Sequence, residues 1–275
     1  MKNIDVENRL MDGSNPCFVV AEIGVNHNGS IELAKRLISA AKEAGSDAVK
    51  FQTWKTENII LKNVEMAEYQ KKNTKSNQSQ YEMLKKLEIS YEKHFELKEF
   101  AEDLGLVFFS TMEDKESVDF LINELKIPLI KVGSGDLTNY PLLKYTAKFG
   151  IPMVLSTGMA TLSEIDEAVR TVSKEGNKDL ILLQCTSNYP CPYEDMNLRA
   201  ITSLKHAFKF PVGLSDHSLR IECAIAAVAL GGKYIEKHFT LSHDLPGPDH
   251  KASLEPFEFK RMVEAVRNIE IALGD

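Results

Sequence analysis

VGLSDHS at Val212–Ser218 and KYIEKHFT at Lys233–Thr240 are two short runs that should be apolar strands, yet each carries a histidine near its end. Alternate side chains of a strand share a face. Ser215 and His217 therefore point one way, and Glu236 and His238 do the same on the second run. Two histidines at the ends of neighbouring parallel strands could grip one metal ion from the side. The competing reading is a pair of hydrogen-bonded core imidazoles.

Outward from these strands the same rhythm fills the chain. Apolar β-rich runs occupy 17–25, 47–53, 106–111, 128–135, 152–158 and 179–186, each followed by a helical pattern. Ser30 is placed to cap the first helix, and Thr161 with Glu164 forms a capping box. Eight strand–helix pairs imply a parallel sheet and match the size of a (β/α)8 TIM barrel, typically about 250 residues. We expect one α/β barrel domain over 1–275, with a doubly wound open sheet as the alternative. The stretch 55–82 is rich in Lys, Asn, Gln and Glu. It reads as a long polar connection, either a lid over the barrel mouth or a surface excursion.

Composition narrows the function. Lys+Arg 33 against Asp+Glu 40 gives a net charge of −7 without a basic tract, which argues against nucleic acid and an anionic membrane surface. No apolar run approaches the roughly 18 residues that span a bilayer, and the polar N-terminus does not resemble a signal peptide. Cys17, Cys185, Cys191 and Cys223 are scattered, which suits free thiols and a cytoplasmic setting.

The inward faces carry chemistry. Parity puts Glu22 on the first barrel strand, Lys50 and Gln52 on the second, and Thr111 on the third. Lys131 follows on the fourth with Ser134 just beyond, and Ser156 on the fifth. Ser215 with His217, and Glu236 with His238, complete the ring. Each strand begins apolar and turns polar toward its C-terminal end, the end that holds barrel active sites. Buried Lys and Glu are costly unless paired or bound to something. Lys50 and Lys131 suit a phosphorylated anion. They could instead form salt bridges with Glu22 and Glu236, or one could attack a carbonyl as a Schiff-base lysine. His27 could join the site or cap a turn. His94 and His206 read as surface residues of helices, and His243 and His250 as solvated loop residues.

Together AEIGVNHNGS, VKFQT, IKVGSGDLTNYPLL, LSTGMAT, CTSNYPCPYEDMNLRA, VGLSDHS and EKHFT with LPGPDHKASLEP resemble the sialic acid synthase family, in that family's order and over nearly the whole chain. The resemblance implies condensation of phosphoenolpyruvate, an N-acylated mannosamine-type sugar and water into a nine-carbon keto sugar acid and phosphate. It implies that His217 and His238 bind a divalent metal, Mn2+ first, with Mg2+ or Co2+ possible. By the same resemblance Lys50, Lys131, Thr111, Ser134, Ser156 and Ser215 hold phosphoenolpyruvate. Glu22 is the acid/base group, Glu236 borders the metal, and Gln52, Tyr189 and Asp249 contact the sugar. Three departures stand out. Met112-Glu113 replaces a Pro-Phe pair common in the family. Ser187 stands where some members have Asn. The C-terminal antifreeze-like domain, through which the family forms homodimers, does not follow Asp275. Alternatives are another phosphoenolpyruvate–aldose condensing synthase, or a non-catalytic barrel that binds sugar or phosphoenolpyruvate. The first would need more cations for a second phosphate, and only Arg199 and Arg220 lie near mouth-side loops.

Overall fold

In the computed structural model, which describes residues 4–6, 9–10, 15–76 and 78–274, eight parallel strands close into a barrel. They are β3 (Phe18–Gly24), β4 (Ala48–Thr53), β5 (Val107–Met112), β6 (Ile130–Val132), β7 (Met153–Ser156), β8 (Leu180–Cys185), β9 (Val212–Asp216) and β10 (Tyr234–His238). The barrel expectation from the β–α rhythm holds. A short antiparallel hairpin, β1 (Asp5–Val6) with β2 (Arg9–Leu10), precedes it. The polar N-terminal composition gave no hint of it.

Helices surround the barrel because their apolar residues recur at helical spacing. In Ile31–Glu43 the buried set is Ala34, Leu37, Ile38 and Ala41, a single stripe facing the strands. Ser30 caps that helix by accepting from the Leu33 amide, and the Thr161–Glu164 capping box is present. Closure comes from β10 lying beside β3, with His238 opposite Glu22. The registers Glu22↔Lys50, Thr111↔Lys131 and Glu236↔Ser215 then bring the polar strand ends to one mouth.

The 54–90 connection is not the structureless polar loop its composition suggested. It folds into three short helices, Thr56–Ile59, Glu68–Thr74 and Gln80–Leu87. Val25, Trp54, Met66, Met83 and Leu87 form a small apolar cluster of their own beneath it. A few spaced apolar residues suffice because each is buried by the others, while most of the Lys and Glu between them face water and Gln70 is itself buried.

Two further expectations are corrected. His94 is fully buried: it lies on the same helical face as Leu97 and Ala101 and bonds to the Thr53 hydroxyl and the Ser90 carbonyl. His250 is also buried, against Thr240 Oγ1 at 2.7 Å and Asn28 Oδ1, so neither is a solvated residue. His206 is exposed as read.

On the outer face of the barrel, Asp216 and Lys237 form a fully buried ion pair at 2.9 Å. Lys237 Nζ also donates to the carbonyls of Ser218 and Arg220, while Asp216 Oδ1 accepts from the Ser218 amide and hydroxyl. The pair ties the end of β9 to the end of β10. Gly213 permits this close approach, since a Cβ there would lie 2.2 Å from the Tyr234 carbonyl oxygen.

Removing one partner of a buried pair strands the other charge, at a cost of about 3–5 kcal/mol. Lys237→Met is expected to lose that much in urea unfolding, and Asp216→Asn combined with Lys237→Met to recover part of it. A loss in the single variant below about 1 kcal/mol, as for an exposed pair, would contradict this account.

Candidate active site

Four buried charges alternate at the barrel mouth. Lys50 Nζ lies 2.9 Å from Glu22 Oε2 and 3.6 Å from Glu236 Oε1, and Lys131 Nζ lies 2.7 Å from Glu236 Oε1. Lys50 also donates to Thr111 Oγ1 at 2.7 Å. Gln52 donates to Glu22 Oε1 at 2.9 Å, and Tyr234 and Ser215 donate to the two oxygens of Glu236. Both lysine–glutamate pairs weighed from the sequence are thus formed. They do not displace the ligand reading, because Lys50 still donates to a hydroxyl of the mouth, that of Thr111.

The two carboxyls are driven apart. Burial raises Glu22 more than Lys50 lowers it, and the Glu236 charge adds to the rise, leaving it at about 7. Burial also works to raise Glu236, but Lys131, Lys50 and the Tyr234 hydroxyl outweigh it and hold it at about 2. One carboxyl is poised near neutrality and the other is a fixed anion, the arrangement that separates a proton carrier from a counter-charge.

Beside them sits a cradle of hydroxyls. Ser134 Oγ accepts from the Gly158 amide at 3.0 Å. A Cβ at Gly158 would come within 2.7 Å of both Ser134 Oγ and Ser187 Oγ, so the glycine leaves the cradle open. Ser156 Oγ is buried without a hydrogen-bond partner. In a folded interior such a group is unusual and points to a bound partner.

His217 and His238 meet with ring centroids 5.4 Å apart. The Thr186 carbonyl accepts the Nδ1 proton of His217 at 2.7 Å and Nε2 lies 3.4 Å from the Ser215 hydroxyl; a fixed Nδ1 proton is how proteins orient metal-binding imidazoles. His238 Nδ1 is buried with no partner. Burial, then the positive charges of His217 and Lys50, keep His238 well below its usual range and hence neutral. Burial works to lower His217, but Cys185, the Thr186 carbonyl and Glu236 outweigh it and raise it, so the pair fits a divalent cation once His217 gives up its second proton. No group of three or more His, Cys, Asp and Glu is placed to hold a metal among the described residues.

Tyr189 lies against His217 at 4.1 Å with the rings tilted by 34°, and meets His238 edge-on at 5.7 Å. Asp249 is buried, and its carboxyl is raised by that burial to about 6 against the opposing pull of His217. His27 is a turn residue: its Nδ1 accepts from the Gly29 amide at 3.0 Å. All fourteen residues read from the sequence lie at or around this mouth. Sequence reasoning missed Tyr234, although it shares the face of Glu236 and His238. It also missed Cys185, whose Sγ lies 3.9 Å from His217 Nδ1, and Tyr69, which no strand periodicity could reveal.

A (β/α)8 barrel with buried lysines, an open hydroxyl cradle and paired imidazoles at its C-terminal mouth is an enzyme-like anion site. The NeuB family matches residues 37–275, and the chain belongs to that family. It is 49% identical over 277 residues to the N,N'-diacetyllegionaminic acid synthase of Legionella pneumophila, covering 97% of this chain and 78% of that protein. It is 42% identical to the N-acetylneuraminate-9-phosphate synthase of Homo sapiens, covering 97% and 74%. The crystal structure of N-acetylneuraminic acid (sialic acid) synthetase from Leptospira borgpetersenii serovar Hardjo-bovis, in complex with citrate, superimposes with a TM-score of 0.89 at 35% identity, covering 100% of this chain and 90% of that one.

A buried carboxyl with a raised pKa makes the fold less stable as pH rises, because the unfolded chain ionises first. Glu22 ionises near pH 4.5 unfolded and at about 7 folded. Relative to the parent, Glu22→Gln is therefore expected to gain stability steadily across that interval and to level off above it. Urea unfolding at fixed pH values measures the difference; a difference independent of pH would mean that Glu22 titrates normally in the fold.

Proposed function

We propose that this protein is a nonulosonic acid synthase, condensing phosphoenolpyruvate with an open-chain N-acylated mannosamine-type sugar and water to give a nine-carbon 2-keto sugar acid and phosphate. The observation that carries this reading is the convergence of Lys50, Lys131, the hydroxyl cradle and the His217–His238 pair at one mouth, in a chain 49% identical to a legionaminic acid synthase.

Lys50 and Lys131 neutralise the phosphate and carboxylate of phosphoenolpyruvate. Thr111, Ser134, Ser156, Ser187 and Ser215 hydrogen-bond the same oxygens, and the unpartnered Ser156 hydroxyl gains its missing partner. Gln52, Tyr189 and Asp249 hold the sugar with its aldehyde carbon toward C3 of the enolpyruvate. His217 and His238 would hold the divalent cation, expected to be Mn2+, with Mg2+ or Co2+ as substitutes. When bound, that ion supplies Lewis-acid polarisation of the aldehyde oxygen.

As the carbon–carbon bond forms, Glu22 gives its proton toward the new hydroxyl. It then takes one from the water that adds at C2, after which the carbon–oxygen bond breaks and phosphate leaves. A carboxyl near neutrality can act in both directions. Glu236, saturated by Lys131, Ser215 and Tyr234, keeps the lysines in place and need not exchange protons. Four free, buried cysteines support a cytoplasmic setting.

Phosphate release from phosphoenolpyruvate tests this reading. With Mn2+ it is expected for N-acetylmannosamine or a 2,4-diacetamido-2,4,6-trideoxy hexose, faster for the latter, and is expected to fall to background with chelator. Absence of release with both sugars, together with no binding of Mn2+ or phosphoenolpyruvate in calorimetry, would refute it. Gly158→Ala fills the cradle; overpacking costs about 1–3 kcal/mol, so phosphoenolpyruvate affinity should drop about tenfold with the fold intact. Unchanged affinity would remove Ser134 and Ser187 from the phosphoenolpyruvate site.

A further inference from the structure

The helix Glu68–Thr74 lies over the mouth, fastened where Asn73 donates to the Pro248 carbonyl at 2.6 Å. It delivers Tyr69, whose ring stacks on Tyr189 at 5.6 Å with 25° between planes. The other neighbour of Tyr189 is His217 at 4.1 Å. Tyr69, Tyr189 and His217 therefore form a row of rings running from the rim to the imidazole pair. Gln70 Nε2 donates to the Tyr69 hydroxyl at 3.4 Å, which leaves the phenol proton free for another acceptor.

We infer that Tyr69 is a specificity-determining residue of the acceptor-sugar site: with Tyr189 and Asp249 it walls the end away from the aldehyde and selects an uncharged, partly apolar substituent there. This rests on the synthase reading, which puts the aldehyde end at His217, His238 and Glu22 and so sends the distal carbons toward the rim. The charge that bears on Tyr69 is the Asp249 carboxylate, and the charge that bears on Asp249 is His217. Among the described residues no lysine or arginine bears on either. A phosphate at the distal end would face a carboxylate without a cation to offset it, whereas an acetamido or methyl group packs against the two rings, and the acetamido carbonyl can also accept the free phenol proton.

The test is calorimetric binding of N-acetylmannosaminitol, an alditol that cannot react, to the full chain in the presence of phosphoenolpyruvate. Parent, Tyr69→Phe and Tyr69→Ala are compared, alongside KM for each substrate. Loss of the stacked ring should weaken alditol binding about tenfold in Tyr69→Ala, and loss of the hydroxyl about threefold in Tyr69→Phe. In both variants phosphoenolpyruvate affinity should stay within twofold of the parent, which also reports an intact barrel. The parent should bind N-acetylmannosamine 6-phosphate more weakly than N-acetylmannosamine, with the gap narrowed by Asp249→Asn. Alditol binding unchanged in Tyr69→Ala, or equal losses for alditol and phosphoenolpyruvate, would overturn the assignment. If the parent binds the alditol but releases no phosphate with any sugar, the synthase reading fails and the binding comparison still decides the role of Tyr69.

Discussion

The structure depends on one linked circuit of alternating charge inside the barrel, running Glu22–Lys50–Glu236–Lys131. Glu22, Lys50, Glu236 and Lys131 come from β3, β4, β10 and β6, and each ammonium is within 2.9 Å of a carboxylate. None could be buried alone, since an unpaired interior charge costs several kcal/mol. The circuit exists only because β10 returns beside β3 with His238 opposite Glu22. Closure of the sheet and assembly of the mouth are therefore one event. The outer Asp216–Lys237 pair braces the same two strand ends from the opposite side.

The circuit also explains how an acidic chain receives an acidic substrate. Glu236 is a fixed anion and offsets part of the charge that the two lysines offer, so an arriving trianion draws on further positive charge. Two sources are built in: the His217–His238 pair, whose donor set suits a divalent cation, and Glu22, which at about 7 can hold a proton where Glu236 cannot. The unpartnered Ser156 hydroxyl and the space at Gly158 show a pocket shaped for oxygen-rich ligands before any arrives.

Much of this was legible in the residues. Strand parity alone placed Glu22, Lys50, Lys131, Ser215, His217, Glu236 and His238 on inward faces, because side chains alternate along a barrel strand, the one irregularity of β3 falling only after Glu22. What escaped was set by partners rather than by period. Asp216 and Lys237 alternate outward, where an apolar residue is the default, and only their meeting across two strands makes them stable. His94 was misread because its ring was judged by polarity, although its place in register with Leu97 and Ala101 puts it inside. Tyr69 lies in a segment whose helices are fixed by a five-residue apolar cluster too sparse to show a period.

That cluster contains Trp54, the sole tryptophan of the chain. Its indole is buried under the folded excursion, with Nε1 bonded to Thr56, rather than in the barrel core. Tryptophan emission therefore reports on the roof alone, while far-ultraviolet dichroism reports on the surrounding helices and strands. The molecule carries its own optical means of separating the two: coincident midpoints would mark one cooperative unit, and an earlier emission change would mark a roof that lifts while the barrel stands.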